Sequence, residues 1–150
     1  PSEEMPTLTY NCINRHISRV VRTRMVSATS PWANDPTILE AKTHLVPISH
    51  GEGRIIISDE LAKDLFAKGQ VYTQYVTEEG VPVMSEPDNP NGSMFAIEGI
   101  TSLDGHVLGK MGHSERTIGA LANGKSDSLL KNISGDNCQN LFAAGVRYFN

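Results

Sequence analysis

The chain has 150 residues, 39% hydrophobic, 20% charged and 6% aromatic, with a formal net charge of −4 at pH 7. That length suits one domain with one core, burying roughly 70% of its unfolded surface, and the composition excludes a disordered or fibrous protein. Basic residues gather only loosely, at Arg15, Arg19, Arg22 and Arg24, which is no footprint for nucleic acid, and no apolar run approaches the roughly 18 residues of a membrane span.

Thr7 to Tyr10 and Ile17 to Val26 mix β-branched and apolar residues with polar ones, predicting strands with one wetter face. "SPWANDP", residues 30–36, ends that pattern. In "THLVPISHGEGRIIIS" two apolar runs, Leu45 to Ile48 and Ile55 to Ile57, flank a polar loop bracketed by glycines, so strand, loop, strand is expected. A helix follows. Ser58 is its N-cap, Asp59 and Glu60 suit the positive end of the dipole, Leu61, Leu65 and Phe66 share a face, and Gly69 supplies the C-cap.

"QVYTQYVT" reads as the next strand and Glu79-Gly80 as a turn. "SEPDNPNGS", residues 85–93, is too rich in Pro and Gly for regular structure, and long polar loops of this kind often carry function. "FAIEGITS" and "HVLGKMG" flank Leu103-Asp104-Gly105, a strong hairpin signal that places His113 where the second strand ends. In the tail a short helix is expected over 126–132. A better one spans Asn140 to Tyr148, with Leu141, Phe142, Val146 and Phe149 expected to pack inward. The mixture indicates α/β or α+β, with few helices for the number of strands.

Several motifs fail on context. "GALANGKS", residues 119–126, satisfies the P-loop pattern, but the preceding "HSERTI" is too polar for the buried strand that a phosphate cradle requires. "GHSER" lacks the closing small residue of a hydrolase nucleophile elbow. The pairs His50/Glu52 and His113/Glu115 lack the helical i, i+4 spacing and third ligand of a zinc site, so no metal is expected. Asn91-Gly92-Ser93 and Asn132-Ile133-Ser134 fit the glycosylation pattern, which carries no meaning in the cytoplasm.

Cys12 and Cys138 lie far apart and form no C-x-x-C motif, so reduced thiols are expected. "PSEEMPTLTYN" has no signal-peptide pattern and enters a strand directly, as a fragment of a cytoplasmic protein would. His113 and Glu115 read best as a pair. Side chains at i and i+2 of an extended chain point the same way, so a carboxylate there can orient the imidazole and stabilise the imidazolium.

"NRHISRVVRTRMV", "SPW", "VPISHGEGR", "NPNGS", "IEGITSLDGHVLGKMGHSER" and "KNISGDNCQNLFAAGVRYF", in this order, resemble the C-terminal end of the glutaminase domain of large-type phosphoribosylformylglycinamidine synthase. The resemblance covers essentially the whole chain. It implies an α/β, mixed-sheet, flavodoxin-like class I glutamine amidotransferase domain lacking its N-terminal half. Across 1–150 it implies the back portion of that domain, with His113 and Glu115 as two members of a Cys-His-Glu triad.

Neither Cys12 nor Cys138 has the flanking glycines of the family's nucleophile elbow, so the thiol is expected upstream and the isolated chain is expected to be inactive. The resemblance, with the polarity of these loops, points to His50, Gly51, Glu52, Asn91 and Ser93 as lining a glutamine pocket. ATP and Mg²⁺ belong to the synthetase portion, the remaining part of the synthase is the expected partner, and sheet surface left uncovered is expected to favour self-association. The alternative, from a different class, is a noncatalytic interaction or regulatory module that keeps the fold without the chemistry.

Overall fold

The computed structural model describes residues 5–117 and 139–150. In chain order these form β1 (Thr7–Thr9), β2 (Ile17–Met25), a 3₁₀ turn (Pro31–Ala33), α1 (Pro36–Glu40), β3 (His44–His50), β4 (Arg54–Ile56), α2 (Asp59–Ala67) and β5 (Val71–Tyr75). A second 3₁₀ turn (Met94–Ala96), β6 (Ile97–Thr101), β7 (Leu108–Lys110) and α3 (Leu141–Phe149) complete them. A helical turn begins at 114–117. The P-loop look-alike at 119–126, the short helix expected over 126–132, Asn132-Ile133-Ser134 and Cys138 lie outside the described residues.

Five strands form one sheet in the order β3-β2-β5-β6-β7, antiparallel at every pairing among the described residues where the resemblance implies a mixed sheet, and β1 pairs with β4 separately. Every residue of β5 is buried, as its central place demands. Beyond β7 the chain crosses back to the opposite edge: Gly112 bridges Ile48 of β3, and the His113 N–H donates to the Pro47 carbonyl at 2.8 Å. The sheet therefore curls until its two edges are tied through the segment that carries His113.

Local signals account for much of this. Ser58 caps α2, its hydroxyl accepting from the Leu61 N–H at 3.2 Å, and Gly69, at φ +67°, takes the left-handed conformation that ends the helix. Ala62 and Leu65 of α2 pack with Ile55, Ile57, Val71 and Ile97. The expected hairpin forms with Asp104 at its tip, where its carboxylate accepts from the Ser102 hydroxyl and the His106 N–H. Farther along β5, Ile17, Val21, Val46, Ile48 and Tyr75 make a second core cluster.

The tail helix is a correction. Leu141 and Ala144 face inward against Ala33, Ile38 and Tyr72, whereas Phe142, Val146 and Phe149 are 56%, 62% and 76% exposed. The helix presents its small-residue side to the indole of Trp32, and a Cβ at Gly145 would lie 3.1 Å from that ring. Close approach, not side-chain bulk, decided which face is buried. No helix among the described residues is long and apolar enough to cross a membrane.

Candidate active site

His113 follows directly on the Gly112 bridge and precedes the helical turn at 114–117. Its Nδ1 lies 2.7 Å from Glu115 Oε1, the bond that H-x-E spacing predicts. Partial burial opposes ionisation of Glu115, but its own backbone N–H, His113 and Arg116 together hold its carboxyl below the usual range. A carboxylate at Nδ1 leaves Nε2 as the ring atom open to a reacting group, the arrangement a general base requires.

A cavity of about 310 Å³, at the small end of ligand pockets, opens at this pair and is lined by Trp32, Lys110, His113, Ser114, Glu115 and Phe142 among others. Behind it sits a buried ion pair that inspection of the sequence missed. Glu98 of β6 is fully buried; its Oε1 lies 3.7 Å from Lys110 Nζ and accepts from the Gly112 N–H at 2.5 Å, while Oε2 accepts from the Thr73 hydroxyl. Lys110 also donates to Gln139 Oε1 at 2.8 Å and to Ser114 Oγ at 3.3 Å. Burial draws the Lys110 ammonium below the usual lysine range, and the charges of Glu98 and Glu115 resist that. One charged residue in the apolar run "FAIEGI" was the available signal.

The loops at 50–54 and 89–93 come together, but mainly by bonding to each other. Asn91 Nδ2 donates to the Gly53 carbonyl at 2.6 Å and to the Tyr75 hydroxyl at 3.0 Å. Ser93 Oγ accepts from the Ile55 N–H at 3.1 Å, and both Asn91 and Ser93 are fully buried. Asn11, which no motif flagged, accepts from the Gly53 N–H at 3.1 Å and lies 3.0 Å from His50 Nδ1. The His50 ring fills the space where a Gly53 side chain would stand, 2.2 Å from such a Cβ. Gly51 is partly exposed and Glu52 is exposed at the tip of the turn.

His50 is brought within electrostatic reach of His113: burial first, then the charges of His16 and His113, hold its pKa below the usual histidine value. Cys12 is not drawn to His113. Its Sγ lies 3.7 Å from the Pro90 carbonyl and its N–H bonds the Asn91 carbonyl, which fixes it to the 89–93 loop instead.

Comparison with known proteins decides the lineage. A family model described as a CobB/CobQ-like glutamine amidotransferase domain matches residues 1–149. The chain belongs to this amidotransferase family. Among curated relatives, the phosphoribosylformylglycinamidine synthase subunit PurQ of Salinibacter ruber is 32% identical over 133 residues, 85% of this chain and 55% of the relative. The subunit of the same name from Treponema denticola is 35% identical over 147 residues, 95% of this chain and 52% of the relative.

A solved structure titled PurLQS from Thermotoga maritima superposes with a TM-score of 0.66 at 22% identity, over 97% of this amidotransferase chain and 54% of that one. The α/β amidotransferase fold expected from the sequence is therefore the fold of the chain, and the likeness to the synthase is carried by the relatives at 32% and 35% identity. The amidotransferase chain spans about half the length of the curated relatives it matches.

Proposed function

We propose that this chain supplies the histidine and glutamate of a glutaminase site in a phosphoribosylformylglycinamidine synthase of purine biosynthesis, acting in the cytoplasm. The observation that carries the reading is the 2.7 Å bond between His113 Nδ1 and Glu115 Oε1 at the mouth of a cavity. The names of the relatives support the choice of synthase.

In this reading the nucleophile is a cysteine thiolate outside these residues. It attacks the side-chain amide carbon of glutamine, and the C–N bond breaks as a thioester forms. His113 takes the thiol proton at Nε2 and delivers it to the departing nitrogen, so that ammonia leaves. It then accepts a proton from the water that attacks the thioester and returns it to sulfur, releasing glutamate. Glu115 keeps the ring in one orientation and stabilises the imidazolium. Gly51 and Glu52 face the glutamine, with His50, Asn91 and Ser93 shaping that loop from behind. The ammonia serves ATP- and Mg²⁺-dependent conversion of formylglycinamide ribonucleotide to the amidine in the synthetase portion, the expected partner.

Assay of the full-length protein that carries this chain provides the test. His113→Ala should lower glutamine hydrolysis by about 10³-fold or more, with the circular dichroism spectrum unchanged, and the isolated 150 residues should release no ammonia. Activity of the alanine variant within tenfold of wild type would overturn the reading.

A further inference from the structure

We propose that the buried Glu98–Lys110 couple is the positioning device for His113, holding the residue on each side of it: Glu98 the backbone of Gly112, Lys110 the hydroxyl of Ser114. The inference rests on the glutaminase reading for its catalytic consequence, but its geometry stands independently. Glu98 Oε1 accepts from the Gly112 N–H at 2.5 Å, Lys110 Nζ donates to Ser114 Oγ at 3.3 Å, and the two charges face each other at 3.7 Å. The His113 N–H itself is held by the Pro47 carbonyl at 2.8 Å. Three consecutive residues are thus pinned from strands β6, β7 and β3, and His113 has little freedom except about its side-chain torsions.

Two arguments favour positioning over simple filling of the core. Apolar residues of similar volume would occupy the same space without the desolvation cost of two charges, so stability alone does not account for the pair. Moreover, a Cβ at residue 112 would lie 2.6 Å from a Val46 methyl and 2.9 Å from Glu98 Oε1, so glycine lets the backbone come close enough for the carboxylate to grip it. A ring misplaced by about 1 Å can cost a hundredfold in rate. Glu98 and Lys110 act through the backbone and Ser114 and need not touch substrate.

The test reads the ring directly. In the full-length protein labelled with ¹⁵N-histidine, the neutral form of His113 should be the tautomer protonated at Nδ1 and bonded to Glu115. Replacing both charges together, Glu98→Met with Lys110→Met, removes the acceptor of the Gly112 N–H without stranding one buried charge and should leave the circular dichroism spectrum native while His113 becomes a mixture of tautomers. Ser114→Ala, which cuts only the Lys110 arm and leaves the buried pair in place, should shift the tautomer ratio in the same direction by less and serves if the double variant does not fold.

In the full-length protein the double variant should lower kcat for glutamine hydrolysis by about 100-fold with little change in KM. A His113 tautomer population unchanged in the folded variants would overturn the proposal. A shifted tautomer in a protein whose His113→Ala form stays active would instead overturn the glutaminase reading and leave the positioning role intact.

Discussion

The imidazole of His44 is fully buried with neither ring nitrogen hydrogen-bonded. Burial, and then the Lys110 charge, hold its pKa down at about 4, against 6.5 in an unfolded chain. Both folded and unfolded states leave the ring neutral above pH 6.5. Between 6.5 and 4 the unfolded chain takes up a proton that the folded protein refuses, so stability falls as pH falls. At about 1.4 kcal/mol per pH unit, the loss across that window is on the order of 3 kcal/mol. His50, also held low by burial, adds loss in the same direction. His44→Leu removes two unpartnered nitrogens and the titration together, so its urea midpoint should fall less steeply from pH 6.5 to 4 than that of wild type. Parallel pH curves for the two proteins would refute the assignment.

Among the elements, α1 and α3 share one side chain. Asp35 caps α1, accepting from the Thr37 N–H at 2.9 Å and the Thr37 hydroxyl at 2.6 Å, and its other oxygen takes Arg147 of α3. Asp35→Ala should cost about 1–2 kcal/mol, mostly through the lost cap. Asp35→Asn, which retains an oxygen for the cap, should cost less than half of that in denaturant titrations. Equal losses would mean that the ion pair, not the cap, holds the two helices together. The same elements show what a sequence reveals. The start of α2 at Ser58, the Asp104 hairpin and the His113–Glu115 bond were legible because each is decided within three residues or so. The buried face of α3 was not, because Trp32 selects Gly145 from across the chain. Glu98 escaped notice for a related reason: its partners are Thr73 on β5 and Lys110 and Gly112 at the end of β7, two segments that only the sheet order brings to β6.

Over the whole molecule, the closing of the curled sheet through Gly112 and Ile48 joins residues 64 apart in sequence, beyond the reach of any periodicity argument. The closure also puts the exposed apolar surface elsewhere. The His106 and Tyr148 rings meet edge to face at 5.9 Å, which sets the tip of the β6–β7 hairpin against α3. Leu103 and Val107 on the hairpin and Phe142, Val146 and Phe149 on the helix are all more than half exposed. Apolar residues gathered in this way, unlike single ones scattered over a surface, favour association in water. Light scattering of the 150-residue chain should therefore show an average mass that rises with concentration. Phe142→Ser combined with Phe149→Ser should suppress the rise without lowering the urea midpoint, since neither ring is part of the core. A wild-type chain that stays monomeric at high concentration would remove the patch as a cause of association, and a double variant that associates as before would place the contact on another face.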